Sequence, residues 1–136
     1  MKIWYQYGSE HSANLVMIGH FKSADNVTKA KEIIDALAKQ VREEESNGSL
    51  TIGHPSERYS DTMLDLLGKL NINSIGSGEL EQLVYDVHIE AQENDLILTT
   101  DEPDISAFLK IMVDKGARVE VYSAHNYPDT AYGRGR

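Results

Sequence analysis

Between Leu70 and Leu109 the chain carries Glu79, Glu81, Asp86, Glu90, Glu93, Asp95, Asp101, Glu102 and Asp104, with no lysine or arginine among them. These nine carboxylates equal the whole net charge of −9 and leave thirteen acids against thirteen bases in the rest of the chain. An acidic block is most simply a solvated face, and Asp101, Glu102 and Asp104 would also suit the positive end of a helix. The chemistry such a block could do is to mate with a basic protein surface, where complementary fields speed encounter and reject wrong partners. Candidate contacts are Asp86, His88, Glu90, Glu93, Asp95, Asp101 and Glu102, joined by the aromatics Trp4 and Tyr122. A calcium loop does not fit, because residues 90–95 lack the required glycine and have no glutamate at the closing position.

The five histidines, His11, His20, His54, His88 and His125, show no pair at HxH or HxxxH spacing, and cysteine is absent, so no metal site is expected. In the polar turn 8–12, Ser9 and Ser12 flank Glu10 and His11 and could be drawn as a nucleophile beside a base. A rival reading of the chain is therefore a small hydrolase or ligand-binding enzyme built on Glu10, His11 and His20, with His88 or Asp101 as further members. Serines and histidines crowded in a turn more commonly bond the backbone, and a histidine among apolar strand residues, as His20 is, reads first as a satisfied rim residue. Gly76-Ser77-Gly78 runs straight into Glu79 and Glu81, whose charge would repel a phosphate, and neither dinucleotide nor P-loop spacing occurs, so no cofactor is expected. The negative balance also opposes nucleic acid and anionic membranes.

These groups must be positioned by a chain of 136 residues, enough for one core without disulfides. Residues 2–7 alternate as a half-buried strand, which would put Lys2, Trp4 and Gln6 outward, and residues 15–21 are apolar on both faces, as in a central strand. Ser23 caps a helix whose stripe is Val27, Ala30, Ile33, Ile34, Leu37 and Val41, with Glu43, Glu44 and Glu45 at its unfavourable negative end. A loop with an extended piece at 50–52 leads to a second helix, 61–70, presenting Met63, Leu64, Leu66, Leu67 and Leu70. Residues 83–91 alternate as a strand with Leu83, Tyr85, Val87, Ile89 and Ala91 inward, and a turn at 92–95 makes a hairpin with 96–100. Thr100 or Asp101 should cap a third helix with Pro103 in its first turn and Ile105, Phe108, Leu109, Met112 and Val113 on its buried stripe, ended by Gly116. Residues 118–123 form a last strand with Val119 and Val121 inward.

The expected fold is α+β: a mainly antiparallel sheet of about five strands with two or three helices on one face, ferredoxin-like once the first strand and second helix are set aside. A single domain spans residues 1–123, followed by a turn and mobile tail at 124–136. The other sheet face should display Asp86, His88, Glu90, Arg118, Glu120 and Tyr122, suited to a protein partner or to self-association. Tyr7-Gly8-Ser9-Glu10-His11-Ser12 through Met17-Ile18-Gly19-His20-Phe21 resembles an uncharacterised family of small acidic bacterial proteins. That resemblance covers roughly residues 1–40 and implies no known activity. The expected function is a small cytoplasmic binding protein of the immunity-protein or antitoxin kind, neutralising a basic partner such as a nuclease-type toxin.

Overall fold

The computed structural model describes residues 14–53 and 58–123. The expected strand at 2–7, with Trp4, and the turn holding Glu10 and His11 lie outside the described residues, as do His54, His125 and the tail. Within the described residues the order is β1 (Leu15–His20), α1 (Ala24–Ser46), α2 (Asp61–Leu70), a 3-10 helix (Ser77–Val84), β2 (Val87–Gln92), β3 (Asp95–Thr100), α3 (Ser106–Asp114) and β4 (Arg118–Ser123). The four strands form one antiparallel sheet in the order β2-β3-β1-β4.

Strand β1 is central because it is apolar on both sides. Leu15 and Met17 are fully buried toward the helices, and Val16 is only 2% exposed on the opposite face. Pairing sets Leu15 against Thr100 and Ser123, Met17 against Leu98 and Val121, and Gly19 against Leu96 and Val119, which makes these residues one face. On β2 the helix side continues with Val87, Ile89 and Ala91. Helices α1 and α3 cover this side, α1 through Val27, Ala30, Ile34, Leu37 and Val41, and α3 through Ala107, Phe108, Ile111 and Met112. Gly19 permits that approach, since a Cβ there would stand 2.7 Å from the Met112 sulfur and 3.2 Å from the Phe21 ring.

Several boundaries differ from the sequence expectation, each for a local reason. The strand expected from Leu83 begins only at Val87. Residues 77–84 instead wind into the 3-10 helix, where the Gly76 N–H donates to the Glu79 carboxylate at 2.7 Å and the Glu79 N–H to the Gly76 carbonyl at 2.9 Å. The Gln82 side-chain carbonyl then accepts the Ala107 N–H at 2.8 Å, and Ser106 donates to Glu79, so this helix is tied to the start of α3. Helix α3 starts at Ser106 and not at Thr100 or Asp101. Thr100 remains in the sheet, where its hydroxyl donates to the Asp86 carbonyl at 3.0 Å and accepts the Glu102 N–H at 3.1 Å. Asp101, Glu102 and Asp104 therefore precede the helix, whose first turn holds no acid.

Four inward assignments are corrected. Val121 and Ala91 lie on the helix side but are exposed, Val121 at 39%, because β4 and β2 are edge strands, while Leu64 of α2 and Val113 of α3 point outward at 50% and 59%. Helix α1 runs through its acidic turn to Ser46, as expected, and there Glu44 is buried, accepting from the Gln40 amide and the Ser60 hydroxyl at 2.7 Å each. Ser60 in turn accepts the Met63 N–H at 3.0 Å as the cap of α2, so the carboxylate that looked misplaced joins the two helices. Gly116 ends α3 as expected, with φ +94° and the Ala117 N–H returning to the Met112 carbonyl at 2.9 Å.

Phe108 is the largest wholly enclosed side chain between the sheet and the helices. Phe108→Ala is expected to lower the unfolding free energy by about 3–5 kcal/mol, read from the urea midpoint at unchanged slope.

Candidate functional site

Alternation along the strands decides which polar groups share the sheet face opposite the helices. The register produces three rows running from β2 to β4. His88, Thr99, Val16 and Tyr122 make the first, Glu90, Ile97, Ile18 and Glu120 the second, and Gln92, Asp95, His20 and Arg118 the third. Val16 and Ile97 are buried at 2% and 8%, so the middle of the face is apolar and its margins carry the charges.

His20 is the junction of those margins. Its Nδ1 lies 2.8 Å from Asp95 Oδ1 and its Nε2 lies 3.2 Å from Glu120 Oε1. Ionised carboxylates only accept hydrogen bonds, so both contacts are satisfied together only when the ring is an imidazolium donating from both nitrogens. The hydrogen bond to Glu120 and then that to Asp95 raise the His20 pKa above 6.5, against a smaller opposing effect of burial. Reciprocally, His20 and then the Tyr122 hydroxyl, which donates to Glu120 at 3.0 Å, hold the Glu120 carboxyl below its usual range. Arg118, beside them, adds a second favourable charge for Glu120.

This arrangement bears on the chemistry. A histidine serving as the base for a serine or threonine must turn one nitrogen to the nucleophile and the other to an orienting acid. In His20 both nitrogens face carboxylates, so the ring, when protonated, links β1 to both neighbouring strands. Among the described residues no group of three or more histidine and carboxylate side chains is arranged to hold a metal ion.

The carboxylates expected to make one patch are divided between the ends of the β2–β3 hairpin. Glu90, Glu93 and Asp95 gather at the turn, where Gln92 pairs with Asp95, while Asp86 and Asp101 flank the far pair, Val87 with Thr100. Six residues of strand separate these ends, roughly 17 Å. At the far end, Glu81 accepts the Tyr85 hydroxyl at 3.0 Å and the Gly53 N–H at 3.1 Å. Burial, then Glu81, then the fields of Asp104 and Glu102 push the Tyr85 phenol up to about 12. Glu79 leaves the acidic surface altogether. Its burial would raise its pKa, but Lys110 at 2.7 Å, Ser106 and the Gly76 N–H hold it below the usual carboxylate range.

Of the expected partner contacts, His88, Glu90, Asp95 and Tyr122 share the face opposite the helices, with Glu93 at its corner, and Asp86, Asp101 and Glu102 form the second group. Glu120 belongs at the centre of the charged margin although it was foreseen only as a face residue. Its tie to His20 spans 100 residues of chain, and only the alternation of each strand hinted that the two could meet. The Tyr85–Glu81 pair carried no such hint, because Tyr85 read as an inward strand residue.

The fold and this face define an α+β protein whose helices cover one side of a four-stranded antiparallel sheet and whose other side carries a carboxylate-edged polar margin. The chain belongs to a Family of unknown function (DUF6375), which it matches over residues 1–134, far beyond the stretch that carried the resemblance in sequence. No curated protein matches the chain, and no solved structure does. Among the described residues no helix is long and apolar enough to cross a membrane.

The histidine contacts make stability depend on pH with a definite sign. Because the folded pKa of His20 is raised, its contribution is fully present below the unfolded value near 6.5 and is lost as pH rises through the folded value. The stability difference between wild type and His20→Asn should therefore be largest near pH 6, above the carboxylate titrations, and shrink on going alkaline. An NMR titration of the His20 ring should show a midpoint above 6.5 that falls in Glu120→Gln and in Asp95→Asn.

Proposed function

We propose that this chain is a binding protein that neutralises a basic protein partner through the turn end of the sheet face opposite the helices. The observation that carries the reading is the gathering of Glu90, Glu93 and Asp95 at the turn of the β2–β3 hairpin, within a stretch that contains no lysine or arginine between Leu70 and Leu109, while strand register brings Glu120 of β4, two residues from Arg118, into the row of Glu90. Glu90 and Glu120 sit on the two edge strands of one row, about 14 Å apart at the usual strand spacing. That span suits a small cationic patch on a partner. The Asp95–His20–Glu120 linkage holds two of the carboxylates in place before any partner arrives, which reduces the ordering cost of association.

Within this reading the chain is of the immunity-protein or antitoxin kind, its carboxylates standing where the phosphates of a nuclease substrate would stand. That assignment is by physical analogy. The order β2-β3-β1-β4, with α1 and α3 each connecting strands, supports a ferredoxin-like description of the core. The hydrolase alternative built on Glu10, His11 and His20 is not favoured by His20, whose two nitrogens are already engaged.

The test uses paired charge reversals at the two ends of the hairpin. Glu90→Lys with Glu93→Lys should leave the denaturation midpoint within about 0.5 kcal/mol of wild type. The same pair should slow association with a captured basic partner by roughly tenfold or more at low salt, and flatten its salt dependence. Asp101→Lys with Glu102→Lys should have a much smaller effect on that rate. A partner that is acidic, or whose binding ignores both salt and the first pair, would overturn the reading.

A further inference from the structure

On the side of the molecule formed by the helices, a shallow, open depression of about 400 Å³ lies between α1, the end of α2 and the end of α3. Its lining is Lys29, Glu32, Ile33 and Ala36 of α1, Lys69 and Leu70 of α2, and Lys115. Three ammonium groups against one carboxylate give it a local charge of +2 in a chain whose net charge is −9. Beneath them, Ile33, Ala36 and Leu70 supply an apolar floor.

Ordinary structural roles account for only part of this cluster. Lys69 lies in the last turn of α2 and Lys115 follows the last turn of α3, where cations complement the helix dipole. Lys115 also donates to the Leu70 carbonyl at 3.1 Å and approaches Asp114 at 3.7 Å. Lys29 has no such explanation. It is the sixth residue of α1, exposed and beyond the first turn where the helix dipole acts, and it makes no ion pair with any described residue. Lys69 likewise has no carboxylate partner among the described residues.

We infer that this depression is a binding site for a small amphipathic anion: a phosphate or carboxylate head held by Lys29, Lys69 and Lys115, with a short apolar body laid on Ile33, Ala36 and Leu70. The volume lies in the range that takes a small organic molecule, and a few charged groups around an apolar floor is the usual composition of such sites. Convergent lysines favour an anionic head by charge without demanding one bidentate geometry. The site is separate from the carboxylate margin of the sheet, on different elements and of opposite sign, so it does not depend on the partner reading.

Phenyl phosphate serves as the probe, titrated against the full-length protein while backbone amide resonances are followed by NMR. Saturable shifts are expected at Ile33, Leu70 and Lys115, with a dissociation constant in roughly the millimolar range or tighter. Inorganic phosphate and benzyl alcohol, which carry only the head or only a comparable apolar body, should each bind more weakly. Lys29→Met with Lys69→Met keeps the apolar stems over the floor and removes both charges. This variant should remain folded, as read from the dispersion of its amide resonances, and lose affinity for phenyl phosphate about tenfold or more. Absence of saturable shifts, equal binding of benzyl alcohol, or undiminished affinity in the double variant would overturn the site. So would binding to phosphatidylglycerol vesicles without binding to free phenyl phosphate, since the surface would then be reading a bilayer and not a small anion.

Discussion

Pairing of β1 with a neighbour on each side is the constraint on which the rest of the molecule depends. The strand holds a single register because its two faces differ: Leu15, Met17 and Gly19 meet the helices, and Val16, Ile18 and His20 lie on the opposite side. A slip by one residue would bring His20 beneath α3 and expose Met17, and it would remove the bare backbone that Met112 approaches at Gly19. That same register sets His20 between Asp95 and Glu120, so the packing of the buried face positions the charges of the other.

The polar ties divide into those that assemble the fold and those that shape its surface. Glu44 and Glu79 belong to the first kind. Each is drawn out of the acidic exterior by a defined set of donors, Gln40 and Ser60 for one, Lys110, Ser106 and Gly76 for the other. Asp95 and Glu120 belong to the second kind. They remain accessible and are oriented by one shared histidine. The difference explains why counting acids overstated the free negative charge: the nine of the acidic stretch include Glu79, neutralised by Lys110, and the remainder form two groups at opposite ends of a hairpin.

Charge is distributed between the two sides of the sheet as well as along the chain. The side opposite the helices carries carboxylates at its margins, while the helix layer gathers Lys29, Lys69 and Lys115 around a depression. Lysines 40 and more positions apart reach one another because α1 packs beside α2 and because Lys115 bonds the carbonyl that ends α2. Each surface is thus a product of a different packing contact, the strand register for the acids and the helix contacts for the lysines.

Sequence alone determined the elements whose own periodicity is strong. The stripe from Val27 to Val41, the helix at 61–70, the apolar central strand and the alternation of Val87, Ile89 and Val119 all follow from side-chain spacing, which is a local property. The same alternation marked His88, Glu90, Glu120 and Tyr122 as one face. Tertiary structure decided what local spacing does not encode. Residues 83–86 have the alternation of a strand, yet the Gly76–Glu79 cap and the Gln82 bond to Ala107 wind residues 77–84 into a helix that takes Leu83 and Val84 out of the sheet. Acids 101–104 look like a helix start, yet Thr100 stays in the sheet through its bond to Asp86. The meeting of His20 with Asp95 and Glu120, and of three lysines around Ile33, depends on contacts between residues distant in the chain, because hydrogen bonds and charge pairs are set by separation in space, whereas periodicity reports only on neighbours along the backbone.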